Sequence, residues 1–216
     1  TGLASLIQTT GNSISTIWQN NSNGLIGPWI ISSGDKFFPV KFISSSQIGL
    51  FCIQGENNGA KAMYLIYNVS ANNWICQWSN FGVNNCNNHD LPGFIDGWSI
   101  KADDKFIIGD FDNDNLDELM CIQNSNINGW ATLLRYNNND FNWSWSNYGS
   151  GSIGNPNVQP LWNITSIDEY QIGDFDGDGK KNELFCVQKG GYCGSILYRD
   201  GLIWDSKYNN NCINGI

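Results

Sequence analysis

Short runs of aromatic, aliphatic and β-branched residues alternate along the chain with turns rich in Asn, Gly and Ser. Runs such as 62–68, 131–137 and 194–200 have the length of ordinary β-strands, about 5–7 residues. No stretch keeps the apolar period of an amphipathic helix. The pattern therefore predicts an all-β protein.

The order of these runs repeats along the chain. The triplet Cys-Ile-Gln at 52–54 returns at 121–123 and, as Cys-Val-Gln, at 186–188, so the copies are 69 and 65 residues apart. A weaker copy, Leu-Ile-Gln, stands at 6–8. Upstream of the three strong copies a Trp, an Asp and a Phe keep a constant spacing, at Trp29, Asp35 and Phe42, at Trp98, Asp104 and Phe111, and at Trp162, Asp168 and Phe175. Such internal similarity indicates a repeat protein.

Each repeat predicts four strands. The runs 62–68, 131–137 and 194–200 correspond to one another and to 14–20, and each is followed by a further run. Repeated four-stranded units are typical of a β-propeller, in which each unit is one blade. We predict a single domain over 1–216, with a partial unit at 1–28 that lacks its first strand and full units at 29–97, 98–161 and 162–216. The economical architecture is a four-bladed ring, and the alternative is a fragment of a larger propeller.

Two acidic loops, 110–118 and 174–183, lie inside two of these units. Carboxylates at the first, third and fifth positions repel one another unless a cation lies among them, and hard oxygen donors favour Ca²⁺. Position seven would contribute a backbone carbonyl. The candidate ligands are Asp110, Asp112, Asp114, Leu116 and Glu118 in the first loop, and Asp174, Asp176, Asp178, Lys180 and either Asn182 or Glu183 in the second. We expect two calcium ions with a structural role.

The unit that begins at Trp29 departs from this pattern. Its equivalent stretch, 41–49, carries Lys41, Ile43, Ser45 and Gly49 where acidic ligands are expected. An EF-hand is also excluded for the two acidic loops, because the twelfth residue would be Cys121 or Phe185 rather than a bidentate Glu. The loops are therefore predicted to connect strand to strand.

The segments IIGDFDNDNLDEL and QIGDFDGDGKKNEL resemble the FG-GAP/VCBS-type repeats of calcium-binding β-propellers. Such repeats form blades in integrin α-chain heads, in propeller lectins and in many secreted bacterial proteins. The resemblance implies that the ion braces the turn between the first two strands of a blade. It does not by itself assign a function.

Charge and composition exclude several function classes. The net charge is −9, with 11 basic residues scattered among 20 acidic ones, so nucleic acid and anionic membranes are poor partners. No apolar run has the length needed for membrane insertion. His89 is the only histidine, and with Asp90 it is interpreted as solvated surface. Because no nucleophile and base stand together, we predict that the chain is not an enzyme.

Seven cysteines and four glycosylation sequons favour an extracellular location. Cys52, Cys121 and Cys186 share one repeated strand position and are expected to be buried thiols. The predicted disulfides are Cys76–Cys86 and Cys193–Cys212, with Cys186–Cys193 as the alternative to the second. The candidate glycosylation sites are Asn20, Asn68, Asn142 and Asn163.

Ten Trp and eight Tyr in a weakly charged chain suggest carbohydrate binding, because aromatic faces stack on sugar rings. The Trp residues that repeat in register are interpreted as core, whereas Trp74, Trp130 and Trp143 lack strict counterparts and are the candidate ligand contacts. We expect a secreted carbohydrate-binding or adhesion module whose partners are glycans or extracellular proteins. The alternative is a self-assembling subunit of an extracellular assembly or surface layer, because the incomplete first unit needs a complement. A third hypothesis is an accessory domain of a secreted glycan-active enzyme.

Overall fold

A computed structural model describes residues 2–47, 49–54, 60–87, 91–101, 103–123, 129–154, 162–189, 193–200 and 203–210. Within these ranges all regular structure is β-strand, and the strands pair in antiparallel fashion. The prediction of an all-β protein is confirmed. In chain order the strands are β1 Ser5–Thr10, β2 Ser13–Gln19, β3 Leu25–Ile26, β4 Trp29–Ile30, β5 Lys36–Val40, β6 Gly49–Ile53, β7 Ala62–Asn68, β8 Asn73–Ser79, β9 Phe94–Ile95, β10 Trp98–Ser99, β11 Lys105–Gly109, β12 Glu118–Ile122, β13 Ala131–Asn137, β14 Asp140–Ser146, β15 Ser152–Ile153, β16 Trp162–Asn163, β17 Asp168–Gly173, β18 Glu183–Gln188, β19 Gly194–Asp200 and β20 Ile203–Asn210.

Three four-stranded sheets carry the repeat. Their strand orders are β5-β6-β7-β8, β11-β12-β13-β14 and β17-β18-β19-β20, so each sheet is a meander of sequence neighbours. A two-stranded hairpin precedes each of them, namely β3-β4, β9-β10 and β15-β16. The predicted unit of four strands is therefore confirmed for the three full repeats.

An asparagine directly after β2, β8 and β14 makes the same set of hydrogen bonds in each case. Its backbone N–H and side-chain oxygen bond the residue that begins the next-to-last strand or directly precedes it, and its Nδ2 donates to the carbonyl two residues earlier. In the unit of 29–97, Asn80 Oδ1 accepts the N–H of Ala62 at 2.8 Å, and Asn80 Nδ2 donates to Ala60 O and Phe94 O, both at 3.1 Å. The same set of hydrogen bonds, here called the asparagine clip, recurs between Asn147 and Ala131 and between Asn20 and Ala4. Asn20, Asn80 and Asn147 therefore occupy equivalent positions in the repeat.

The equivalence of these asparagines corrects the strand assignment predicted for the partial unit at 1–28. Because Asn20 follows β2, β2 takes the place of a fourth strand and β1 that of a third strand. The predictions that residues 6–8 copy the Cys-Ile-Gln triplet and that 14–20 copies the third strand are wrong. Short apolar triplets recur in many strands, whereas the asparagine clip marks one defined end of the unit.

A second repeated contact explains the spacing of Trp and Asp. Trp29 Nε1 donates to Asp35 Oδ2 at 2.9 Å, and Trp162 Nε1 donates to Asp168 Oδ2 at the same distance. Asp168 is buried and also accepts hydrogen bonds from Tyr170 Oη and from Thr165 N and Oγ1. The hairpin before each of these two sheets is thereby fixed to the first strand.

The chain divides into two compact units. One comprises Thr1–Lys41, Ser46–Ala102 and Asn138–Asp140, and the other comprises Phe42–Ser45, Asp103–Asn137 and Phe141–Ile216. The core of the first unit includes Trp29, Cys52, Met63, Leu65 and Trp74. The core of the second includes Met120, Leu133, Trp162, Leu184 and Trp204.

The cysteines divide as the repeat predicts. Cys52, Cys121 and Cys186 are buried free thiols, and burial raises the pKa of each above its ordinary value. The Cys76–Cys86 disulfide is confirmed. Cys193 is disulfide-bonded while Cys186 is free, so the alternative Cys186–Cys193 bridge is wrong. Cys212, the predicted partner of Cys193, lies outside the described residues.

Candidate metal centre

Both acidic loops connect the first and second strands of a four-stranded sheet. The first joins β11 to β12, and the second joins β17 to β18. At the base of the loops Gly109 pairs with Glu118, and Gly173 pairs with Glu183. Glu118 and Glu183 therefore occupy the same register position, although the second loop is one residue longer.

In both loops the carboxylate of the first aspartate accepts two backbone N–H groups of the loop. Asp110 Oδ1 accepts Asp114 N at 3.0 Å, and its Oδ2 accepts Asn115 N at 2.9 Å. In the second loop, Asp174 Oδ1 accepts Gly177 N at 2.8 Å, and its Oδ2 accepts Gly179 N at 3.0 Å. Each loop thus wraps its backbone around one carboxylate.

Left-handed backbone at the fourth and sixth positions explains the Asn and Gly residues there. In the first loop φ is 63° at Asn113 and 69° at Asn115. In the second, φ is 78° at Gly177 and 89° at Gly179. Asn and Gly tolerate this conformation best, so the loop geometry selects them.

A buried glutamate closes each loop from the strand side. Glu118 Oε2 accepts Phe111 N at 2.8 Å, and Glu183 Oε2 accepts Phe175 N at 2.9 Å. Both glutamates are fully buried. Burial raises the pKa of Glu118 to about 8, and the carboxylates of Asp114 and Asp110 add to the effect, although the hydrogen bond from Phe111 opposes it. A nearby cation would therefore favour the ionised form of Glu118.

Three carboxylates converge in each loop. Oxygen atoms of Asp110, Asp112 and Glu118 lie within 4.8 Å of one another, and so do oxygen atoms of Asp174, Asp176 and Glu183. Within the described ranges, these are the groups of acidic, His or Cys side chains with that spacing. Either group could hold a metal ion.

The remaining predicted ligands hold the loops in shape. Asp114 Oδ1 accepts Leu116 N at 2.8 Å, and Asp178 Oδ1 accepts Lys180 N at 2.9 Å. These aspartates stabilise the turn and are not members of the three-carboxylate groups.

The second loop has two candidates, Asn182 and Glu183, for the position that Glu118 holds in the first loop. Glu183, rather than Asn182, is the register equivalent of Glu118 and joins Asp174 and Asp176. Asn182 Oδ1 is buried beside it without a hydrogen-bond partner.

The donors present fit a hard divalent cation. They are all oxygen atoms, which is the set that Ca²⁺ takes from proteins. Asp112 Oδ1 in the first loop and Asn182 Oδ1 in the second are buried acceptors that lack a hydrogen-bond partner. A bound cation is one way to compensate such atoms.

One cation near the first loop could not be foreseen from sequence spacing. The guanidinium of Arg135, on β13, forms ion pairs with Asp112, with Asp114 at 3.3 Å and with Glu118 at 3.2 Å. Arg135 follows Leu134, which pairs with Leu119 on β12. The strand register places Arg135 opposite the loop. The only sequence signal for this contact is that Arg135 is the fifth residue of the repeated run 131–137.

The loop of the first full unit is built differently. Gly49 pairs with Val40 and so takes the register place of Glu118 and Glu183. A side chain there would collide with the ring of Tyr64 and the carbonyl of Val40. The sheet of β5–β8 therefore fills with aromatic packing the place where the other two sheets have a glutamate.

The candidate ligand-contact tryptophans differ in exposure. Trp74 is only 7% exposed and packs with Trp18 and Tyr67 in the core, so the expectation that it is accessible is wrong. Trp130 and Trp143 are 46% and 49% exposed. The repeated Trp29, Trp98, Trp162 and Trp78 are buried, and Trp145 is partly buried against the core, as predicted.

Trp130, Trp143 and Tyr148 form an aromatic patch that the sequence only partly indicated. The rings of Trp143 and Tyr148 meet edge to face with centroids 6.3 Å apart, and the indole of Trp130 packs directly on Gly149. Tyr148 is 76% exposed and has a φ of 50°, a conformation that bulky residues rarely adopt. Ser146 Oγ accepts Tyr148 N, and Asn147 Oδ1 accepts Gly149 N, each at 3.0 Å, which holds the turn.

Two small pockets are also present. One, of about 160 Å³, is lined by Pro28, Trp29, Ile30, Ser32, Gln54, Lys61 and Phe81. The other, of about 190 Å³, is lined by Glu169, Tyr170, Gln171, Phe185 and Val187. In the first, Lys61 Nζ lies 5.3 Å from the centroid of the Phe81 ring.

The sequons lie in different environments. Asn20 is buried and its Nδ2 donates to Gly2 O at 2.9 Å, so its amide is engaged in the clip. Asn142 and Asn163 are exposed, and Asn68 is half-buried. His89 and Asp90 lie outside the described residues.

Comparison of the chain with family models, with curated proteins and with solved structures found no match. Across the described parts of the chain, no helix has the length and apolar character needed to cross a bilayer. A function has to be inferred from the acidic loops and the exposed aromatic residues.

Proposed function

We propose that the chain is a secreted, calcium-stabilised β-propeller of the FG-GAP/VCBS type that serves as a carbohydrate-binding or adhesion module. The calcium part is supported by one observation above all: two loops of different length each fold around their first aspartate and close on an equivalent buried glutamate. The Cys76–Cys86 disulfide is compatible with an extracellular location. The meander sheets are the form that propeller blades take.

The residues of each loop would bind the ion from two sides. The aspartates would approach from the loop, and Glu118 or Glu183 would approach from the start of the second strand. Bound calcium would neutralise the carboxylates and fix the loop to the sheet. Chelation is therefore expected to lower the melting temperature, by linkage between metal binding and folding.

The aromatic patch is the site that we propose for carbohydrate. The turn that carries Tyr148 is fixed by hydrogen bonds to Ser146 and Asn147, so its ring is held in place before a ligand arrives. A pre-positioned ring loses little conformational entropy when a sugar stacks on it. Backbone in an uncommon conformation that carries an exposed aromatic residue is characteristic of binding sites.

A glycan array followed by titration of tryptophan fluorescence, both in excess calcium, tests this site. Tyr148→Ala and Trp143→Ala are each expected to weaken sugar binding roughly tenfold, because one stacked ring contributes about 1 kcal/mol or slightly more. Val69→Ala is the matched control, since Val69 is similarly exposed on a turn away from the patch in sequence. No glycan binding in calcium, or equal binding by all four proteins, would reject the proposal.

Self-assembly is the second candidate function, and one observation favours it. Among the described strands β1 pairs with β2 alone, whereas its equivalent in each full unit pairs with strands on both sides. Ile7 and Ile14 on this hairpin are exposed. An open strand edge with apolar residues can pair with another chain. Light scattering that detects only a monomer would argue against assembly.

A further inference from the structure

Arg135 distinguishes the first acidic loop from the second. Its side chain contacts three of the five carboxylates of the first loop, and its Nε and Nη2 both lie within 3.3 Å of Glu118 Oε1. In the second sheet, the residue that pairs with Glu183 is Tyr198. The register place opposite the loop glutamate is thus held by an arginine in one sheet and by a tyrosine in the other.

We propose that Arg135 is a built-in counter-ion that competes with calcium for the first loop, so that calcium fills the second loop first. The first loop then binds calcium only when the guanidinium is displaced. This inference rests on the proposed binding of calcium and adds an order of filling to it.

The contacts of Arg135 explain why displacement carries a cost. A guanidinium donates several hydrogen bonds in a fixed plane, and hydrogen bonds to charged groups are stronger than neutral ones. Glu118 is fully buried, so its carboxylate depends on nearby positive charge. Breaking one hydrogen bond between Arg135 and a carboxylate costs enough free energy to lower the affinity of calcium for the first loop by about tenfold or more.

The route for displacement is open. The Arg135 side chain is 35% exposed, so it can turn into solvent without crossing the core. A second guanidinium, that of Arg199, interacts electrostatically with both Glu118 and Arg135. Arg199 Nη2 is fixed by Ser144 O at 3.1 Å and Ser144 Oγ at 2.7 Å. The first loop therefore retains one fixed positive neighbour even when Arg135 leaves.

The second loop has a different cation, which provides a matched control. Lys180 Nζ lies 3.6 Å from Asp178 Oδ2, and its side chain is 55% exposed. It contacts an aspartate that is not a member of the three-carboxylate group. Substitution of the Lys180 side chain therefore removes a positive charge from the loop but keeps the backbone carbonyl, which is the only part of Lys180 predicted to bind the ion.

The test is calorimetric titration of the whole chain with Ca²⁺ after removal of metal by chelator. The unmodified protein should show two sites whose affinities differ at least tenfold. Asp174→Asn should abolish the tight site, and Asp110→Asn should abolish the weak one. Arg135→Gln should strengthen the weak site about tenfold, whereas Lys180→Gln should change neither site by more than about twofold.

Thermal melting separates competition from a purely structural role. Arg135→Gln should lower the melting temperature in EDTA, because Asp112, Asp114 and Glu118 lose their counter-ion, and calcium should restore it. Arg135→Lys keeps the positive charge but lacks the planar guanidinium. Its melting temperature in EDTA should therefore lie between those of the unmodified protein and Arg135→Gln. An equal loss of melting temperature with and without calcium would overturn the inference.

The possible failures are distinguishable. Two sites of equal affinity in the unmodified protein, left unchanged by Arg135→Gln, would overturn the order of filling while leaving calcium binding intact. Absence of calcium binding in every variant, Arg135→Gln included, would overturn the proposed function itself and this inference with it.

Discussion

Glu183→Gln is expected to change stability in opposite directions with and without calcium. The substitution keeps an oxygen that can accept the Phe175 N–H, which Glu183 Oε2 accepts at 2.9 Å, but removes one negative charge. It therefore separates the charge of the residue from its hydrogen bond. The pair of effects is a sharper test of a metal site than a simple loss of stability.

The magnitude follows from the separation of the carboxylates. Ligand oxygens of Asp174, Asp176 and Glu183 lie within 4.8 Å of one another. Two charges at that separation repel by about 3 kcal/mol at an effective dielectric constant of about 20, and solvent around an open loop reduces this to about 1 kcal/mol. Without metal, Glu183→Gln should therefore stabilise the protein by about 1 kcal/mol.

Calcium reverses the sign. At a concentration of about 100 times its Kd, a ligand stabilises the folded state by about 2.7 kcal/mol, and a hundredfold loss of affinity removes most of this gain. After the relief of repulsion is subtracted, Glu183→Gln should destabilise the calcium-loaded protein by about 1 kcal/mol.

Urea unfolding followed by tryptophan fluorescence, in EDTA and in calcium, measures both values. Glu169→Gln is the matched control, since Glu169 is exposed on β17 and forms a surface ion pair with Lys189 at 3.3 Å. The control should change stability by less than about 0.5 kcal/mol in either condition. A loss of stability of the same size for Glu183→Gln in both conditions would refute the metal-site reasoning.

Three further predictions concern the fold. Asp168→Ala should lower the free energy of unfolding by about 3–4 kcal/mol, because Asp168 is buried and accepts four hydrogen bonds. Asp35→Ala should lower it by only about 1–2 kcal/mol, because Asp35 is less buried and accepts fewer hydrogen bonds. Equal losses for the two variants in urea titrations would contradict this. Asn147→Ala should cost about 2–3 kcal/mol in the same assay through loss of the clip, and an effect below about 0.5 kcal/mol would show that the clip is dispensable. A thiol reagent at pH 8 should label no free cysteine before unfolding, because burial raises each thiol pKa and blocks access; labelling of the native protein would disprove the burial of Cys52, Cys121 and Cys186.

The repeat and the loops were accessible from sequence because their signals are local. The constant spacing of Trp and Asp reflects one hydrogen bond within a short segment, such as that from Trp162 to Asp168. Alternate aspartates with Asn or Gly between them likewise reflect turn geometry over a few residues. Such signals specify the local structure without knowledge of the remaining chain.

Features that depend on strand register or packing were not accessible. Arg135 reaches the first loop from a strand that is far away in sequence, and no spacing rule connects it to Asp112. Trp74 was assigned to the surface because its burial depends on Trp18 and Tyr67. The choice between Asn182 and Glu183 needed the pairing of Gly173 with Glu183.

The asparagine clip has a consequence for how this chain can diversify. Asn80 Nδ2 reaches forward 14 residues to Phe94 O, whereas Asn147 Nδ2 reaches forward only five residues to Ser152 O. The same amide therefore closes a long segment, tethered to β8 by the Cys76–Cys86 disulfide, in one repeat and a short aromatic turn in another. Segments after the fourth strand can be lengthened, exchanged or given new chemistry while the sheet behind them stays the same, which makes these junctions the natural places to graft foreign loops.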